Sequence, residues 1–176
     1  MGFMTGPLYV DLGYDKTDIG IFRGMFGFWA TMLGVFAGGL LLLRVNIMTA
    51  LFIGVVGQSA TNLLYSWLAL MPADNLYLAT AVVIDNIAYG MAGTVLIAYM
   101  SSLTNTAFTA TQYALFSSFY ALPGKFVGGF SGFIVDAVGY AWFFAYTALI
   151  GIPAAALIYF LVRSPWRPKQ APAPSA

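Results

Sequence analysis

From Ile19 to Leu161 the sequence is a succession of long apolar stretches parted by short polar connectors, and that pattern leaves few folds open. A helix needs about 20 apolar residues to cross the hydrocarbon core of a bilayer. The stretches 19–43, 47–71, 76–100, 113–135 and 140–161 each reach that length. Apolar residues occur all round each one, as on helices bathed in lipid. Charged residues make up only 7% of the chain, against roughly 25% in ordinary globular domains. So few charges cannot cover a water-facing surface. The expectation is an all-α polytopic membrane protein with five full spans.

The remaining segments are short. Residues 1–10 are apolar but cannot span. They read either as the end of a helix whose beginning is missing or as an interfacial segment. The bundle is therefore expected over residues 1–162. The Pro- and Ala-rich stretch 163–176 is expected to be a disordered tail. No basic region precedes the first apolar run, so a cleaved signal peptide is not expected.

Short connectors force neighbouring helices to lie antiparallel. Arg44, Arg163, Arg167 and Lys169 then share one side, while Asp11, Asp15, Lys16, Asp18, Asp74 and Asp136 share the other. An excess of Lys and Arg marks the cytoplasmic face, which puts the tail in the cytoplasm.

Seven basic residues against six acidic ones give no reason to expect a nucleic-acid partner. The chain has no Cys and no His, which excludes disulfides, His-ligated haem and the common zinc sites. No HExxH, GxSxG or P-loop lysine signature occurs, so no enzyme is expected.

Ionisable groups inside spans carry the functional expectation. Asp85 lies roughly 13 Å into the third span and Lys125 roughly 15 Å into the fourth, at 1.5 Å per residue. Both depths approach the midplane. Intramembrane charges are costly, face protein or a water-filled path, and have partners. Asp85 and Lys125 are therefore expected to pair, with Asn86 and Tyr89 beside Asp85 as the wall of a polar cavity. Two readings follow: a substrate or proton site whose carboxylate switches protonation, or an ion pair that fixes packing. In the second span Gln58, Asn62, Tyr65 and Ser66 recur at helical spacing, either to touch solute or to join helices. Arg23, one turn inside the first span, reads as a snorkelling cation or as an attractor of anionic solute.

Small residues mark close helix approaches. Gly34 and Gly38 have the four-residue spacing that puts glycines on one helix face, as do Gly124, Gly128 and Gly132. Pro123 beside Gly124 is a candidate hinge. Laying Gly34 on Gly128, a shift of 94 residues, matches the first and fourth spans. Such a repeat is expected where inverted three-helix units build a transporter half.

Several stretches together resemble a known family: PLYVDLGYDKTDIG at 7–20, GVFAGGLLLLR at 34–44, DNIAYGMAGTVLIAYMSSLTNTAFTATQYALFSS at 85–118 and the run from Lys125 to Gly139. They are similar to the C-terminal half of AmpG-type muropeptide permeases of the major facilitator superfamily. The resemblance implies twelve helices in two six-helix bundles, with solute bound between them. It also implies proton-driven import of a muropeptide-like solute across the bacterial inner membrane, the proton being the coupling ion and no cofactor being needed. The five spans would be helices eight to twelve, with residues 1–10 ending helix seven. The implied partners are the lipid bilayer, the solute and a six-helix N-terminal bundle. The alternatives are a superfamily permease for another solute, a non-transporting membrane subunit or scaffold, or a truncated fragment.

Overall fold

The computed structural model describes residues 4–104 and 109–163, apart from the side chains of Thr109, Pro123 and Val127. All regular structure in it is helical. Helix α1 is Thr5–Asp11 and α2 is Lys16–Ile21. A π-helical turn, Phe22–Phe26, joins α2 to α3, Gly27–Arg44. Then come α4 (Ile47–Leu68), α5 (Asn75–Ser102), α6 (Thr109–Gly129) and α7 (Ser131–Arg163).

The starts of these helices follow from short polar side chains. Asp15, Asn46 and Asp74 each cap a helix by accepting a backbone N–H, from Thr17, Thr49 and Leu76. Hydrogen bonds from Thr17 hold the Asp15 carboxyl below its ordinary range. Helix α7 contains a break at Gly139, with φ 80° and ψ 164°, a conformation open essentially to glycine alone.

Four helical segments are long and apolar enough to cross a membrane among the described residues: Lys16–Arg44, Ile47–Leu68, Asn75–Ser102 and Ser131–Arg163. The first three match the expected first, second and third spans within a few residues. The expected fourth span, 113–135, is not among them. Its residues divide between α6, a turn at Phe130 and the start of α7. Helix α6 is the least apolar of the long helices, because Thr111, Gln112, Ser117, Ser118 and Lys125 dilute its hydrophobic residues.

Packing is strongest between α3 and α5, between α4 and α7, and between α4 and α5. Glycine sets the first of these contacts. A Cβ on Gly38 would lie 2.9 Å from the Met91 carbonyl oxygen, and one on Gly34 would strike the Ile87 backbone. Gly90 on α5 returns the fit against Thr31 and Val35 of α3. In lipid, such backbone approach supplies the dispersion and polar contacts that hold helices together.

Two apolar clusters occupy opposite ends of the bundle. One gathers Leu8 and Tyr9 of α1, Tyr65 and Leu68 of α4, Leu78 and Val82 of α5, and Phe144 of α7. The short first helix is thus buried against the bundle. At the same end Tyr140 donates to Asp11 at 2.6 Å, Asn75 to Asp18 at 2.9 Å, and Tyr14 to the Asp74 carbonyl at 3.1 Å. The acidic connectors therefore share one end. The other cluster, around Ala50, Leu51 and Val95 with Leu41 and Ile158, lies toward Arg44 and Arg163. Among the described residues, Arg44 and Arg163 thus lie at the end opposite the acidic connectors. Of the tail, only Arg163 falls within the described residues.

Candidate functional site

Asp85 sits in the first half of α5 on the face turned to α4. Its side chain is half-buried and accepts hydrogen bonds from α4. Thr61 donates to Oδ1 at 2.8 Å, Gln58 Nε2 to the same oxygen at 3.2 Å, and Tyr65 to Oδ2 at 3.1 Å. Positions 58, 61 and 65 are three and four residues apart, so they form one stripe of α4.

The network extends to the first helix. Tyr9, which is 1% exposed, donates to the Tyr65 hydroxyl at 3.1 Å. Its ring lies edge-on to Tyr14 and beneath the Arg23 guanidinium, whose carbon is 5.9 Å from the ring centroid. Arg23 belongs to the π-helical turn, an irregularity often found at functional sites. Gln58 Oε1 is buried and accepts no hydrogen bond from the described residues.

The expected Asp85–Lys125 pair does not form. Lys125 is exposed on α6, and no ion pair joins it to Asp85. The reason is azimuth. Depth matching places two charges at one level of the membrane, but the carboxylate points at α4, where neutral donors satisfy it. The other expected neighbours divide. Asn86 turns to α3, where Thr31 donates to its Oδ1 at 3.0 Å while its own Nδ2 donates to the Val82 carbonyl. Tyr89 is 62% exposed and stands clear of the network. Asn62 is buried in α4. The stripe reading thus located Gln58 and Tyr65 and passed over Thr61, although Thr61 has the same helical spacing. Tyr9 carried no such signal, since α1 is too short to show a periodicity.

The two glycine motifs also part company. Gly34 and Gly38 make the α3–α5 approach, whereas a Cβ on Gly124 or Gly132 would meet nothing within 4 Å, and Gly128 is half-buried. The expected Pro123 hinge lies outside the described side chains.

A groove of about 380 Å³ runs between α4 and α5, lined by Gly57, Ala60, Thr61, Ile84, Ile87 and Met91. It is apolar except at Thr61, one of the Asp85 donors.

No protein-family model matches the chain. A putative transporter AmpG 4 of Rickettsia felis is 35% identical over 161 residues, which are 92% of this chain and 39% of the relative. The anhydromuropeptide permease of Escherichia coli K12 is 31% identical over 159 residues, 90% of this chain and 32% of the relative. The chain is a homologue of AmpG-type permeases. It spans less than two fifths of the length of these curated relatives. They are named as transporters and permeases rather than enzymes, which accords with a sequence free of enzyme motifs. In this permease homologue the Asp85 network belongs to a bundle in which, among the described residues, four helices are long and apolar enough to cross a membrane.

Proposed function

We propose that this chain is the C-terminal portion of a proton-coupled major facilitator transporter that imports a muropeptide-like solute by alternating access, with Asp85 as the proton-binding group. The observation that carries the reading is Asp85 itself: a half-buried carboxylate on an apolar helix long enough to span, held by Thr61, Gln58 and Tyr65 and, among the described residues, by no cation. Ionisable groups at such positions are functional candidates by default. Its partners are neutral hydroxyl and amide groups, each of which can also accept a hydrogen bond. Similarity to the Escherichia coli anhydromuropeptide permease supports the solute class.

In this reading the arginine-bearing end, with Arg44 and Arg163, faces the cytoplasm of a bacterial inner membrane, in keeping with the positive-inside rule. Lys125, exposed on α6 away from Asp85, faces the solute path and attracts anionic groups of the cargo. Asn86 and Tyr89 of α5, with Asn62 of α4, complete the polar lining. Gly124, Gly128 and Gly132 serve an approach to helices beyond those described, and Pro123 the hinge beside them.

The test is uptake of labelled anhydromuropeptide into right-side-out membrane vesicles. Accumulation is expected only with an inward proton gradient, and equal uptake without one contradicts the reading. Lys125→Gln is expected to raise the half-saturating solute concentration by about tenfold, the value of one lost charge-assisted contact of roughly 1.4 kcal/mol. An unchanged half-saturation removes Lys125 from the solute path.

A further inference from the structure

We infer that Tyr9 and Tyr65 form a proton relay to Asp85 from the end of the bundle that carries the acidic connectors. This rests on the reading of Asp85 as the proton-binding group and adds the route by which the proton arrives. Tyr9 donates to Tyr65, and Tyr65 donates to Asp85 Oδ2, both at 3.1 Å. The two donors point the same way, toward the carboxylate, which is the arrangement a directed transfer requires.

The step balances as follows. A hydronium that reaches the Tyr9 oxygen gives it a proton. The proton already on Tyr9 passes to the Tyr65 oxygen, and the one on Tyr65 passes to Asp85 Oδ2. Each phenol breaks one O–H bond and forms another. The net change is one new O–H bond at Asp85, a neutralised carboxylate and a molecule of water. Afterwards the chain runs in reverse, with Asp85 donating to Tyr65 and Tyr65 to Tyr9. Protonation at α5 is thereby registered at α1 without movement of heavy atoms.

The surroundings of the relay bear on its direction. The groups that face it are Tyr65 from α4, Tyr9 from α1, Tyr14 from the connector after α1 and Arg23 from the π-helical turn. From α7 the ring of Phe144 covers Tyr65, with centroids 5.3 Å apart, and brings no titratable group. Arg23 is exposed while its guanidinium covers the Tyr9 ring, so water at Arg23 stands one aromatic ring from the relay. The cation also disfavours a resting proton on that approach, so the proton passes inward to the carboxylate. The competing route is direct: Asp85 is only half-buried and is open to a proton from its own exposed side.

The experiment is a pH jump followed by time-resolved infrared spectroscopy on the full chain in lipid nanodiscs. The rise of the protonated carboxyl band that Asp85→Asn removes is recorded. Tyr9→Phe keeps the ring and its contact with Arg23 and deletes only the hydroxyl. The relay predicts that this variant slows the rise about a hundredfold, within the range of a positioned proton-transfer group, and leaves the titration midpoint in place. Fluorotyrosine at position 9 keeps the hydroxyl and weakens its hold on the proton, so it changes the rate only if that oxygen carries the proton. It decides the matter should Tyr9→Phe fail to fold. An Asp85-dependent band whose rate neither change alters overturns the relay and leaves Asp85 as the proton-binding group. A spectrum with no Asp85-dependent band at any pH overturns both.

Discussion

Replacing Gly34 by leucine separates α3 from α5 and destabilises the bundle by about 3 kcal/mol or more. The position has no room for a side chain, because even a Cβ would strike the Ile87 carbonyl and Cα. Those atoms are backbone in the middle of a helix and cannot turn aside as a flexible side chain does. Overpacking a core costs about 1–3 kcal/mol when side chains can shift, and here the helices themselves must part. The Gly38 and Gly90 approaches lie on the same seam and open with it. Gly39 is the control. A Cβ there meets nothing within 4 Å, and Gly39→Ala is expected to hold or raise stability by up to about 1 kcal/mol through helix propensity. Thermal unfolding in detergent checks both. Equal behaviour of the two variants would contradict the seam.

Asp85→Asn is expected to abolish uphill accumulation while leaving the protein folded. Asparagine has nearly the same volume, and its Oδ1 still accepts from Thr61 and Gln58. At the second position an NH₂ stands opposite the Tyr65 hydroxyl, which must turn from donor to acceptor as it does when Asp85 is protonated. The variant therefore resembles the proton-loaded state held permanently. A transporter locked in that state exchanges solute across the membrane but cannot couple the exchange to a gradient. The loss is thus in coupling, with stability falling by about 1 kcal/mol, the worth of a hydrogen bond or so.

The outline of the fold was legible because hydrophobic length is a strong signal. The helices spanning 47–68 and 75–102 begin at Asn46 and Asp74 caps that the polar connectors announce. The stretch 113–135 is harder to read. Its apolar residues are numerous enough to suggest a span, yet its hydroxyls and Lys125 lower the average, and the helix stops at Phe130 between Gly128-Gly129 and Ser131-Gly132, turn signals that also read as a helix-packing motif. The site was half legible. A lone aspartate in an apolar helix stands out in any reading, and the Gln58–Tyr65 stripe shows a polar face on α4. That the two face each other depends on the rotation of α5 about its axis, which spacing does not encode. Depth drew Asp85 toward Lys125, whereas rotation turned it to Thr61. The glycine motifs make the same point: identical spacing yields a tight seam at Gly34 and open space at Gly124, because the motif specifies a smooth face and not the helix that meets it.

The central claim is that Asp85 couples solute movement to the proton. The most direct measurement is the ratio of internal to external labelled anhydromuropeptide at steady state, in vesicles energised by a proton gradient, for the wild type and Asp85→Asn, with solute exchange recorded in parallel. The account predicts a ratio well above one for the wild type and a ratio of one for the variant, with exchange retained in both. A variant that still accumulates solute against its gradient would contradict it and would leave Asp85 as a group that only holds α4 to α5.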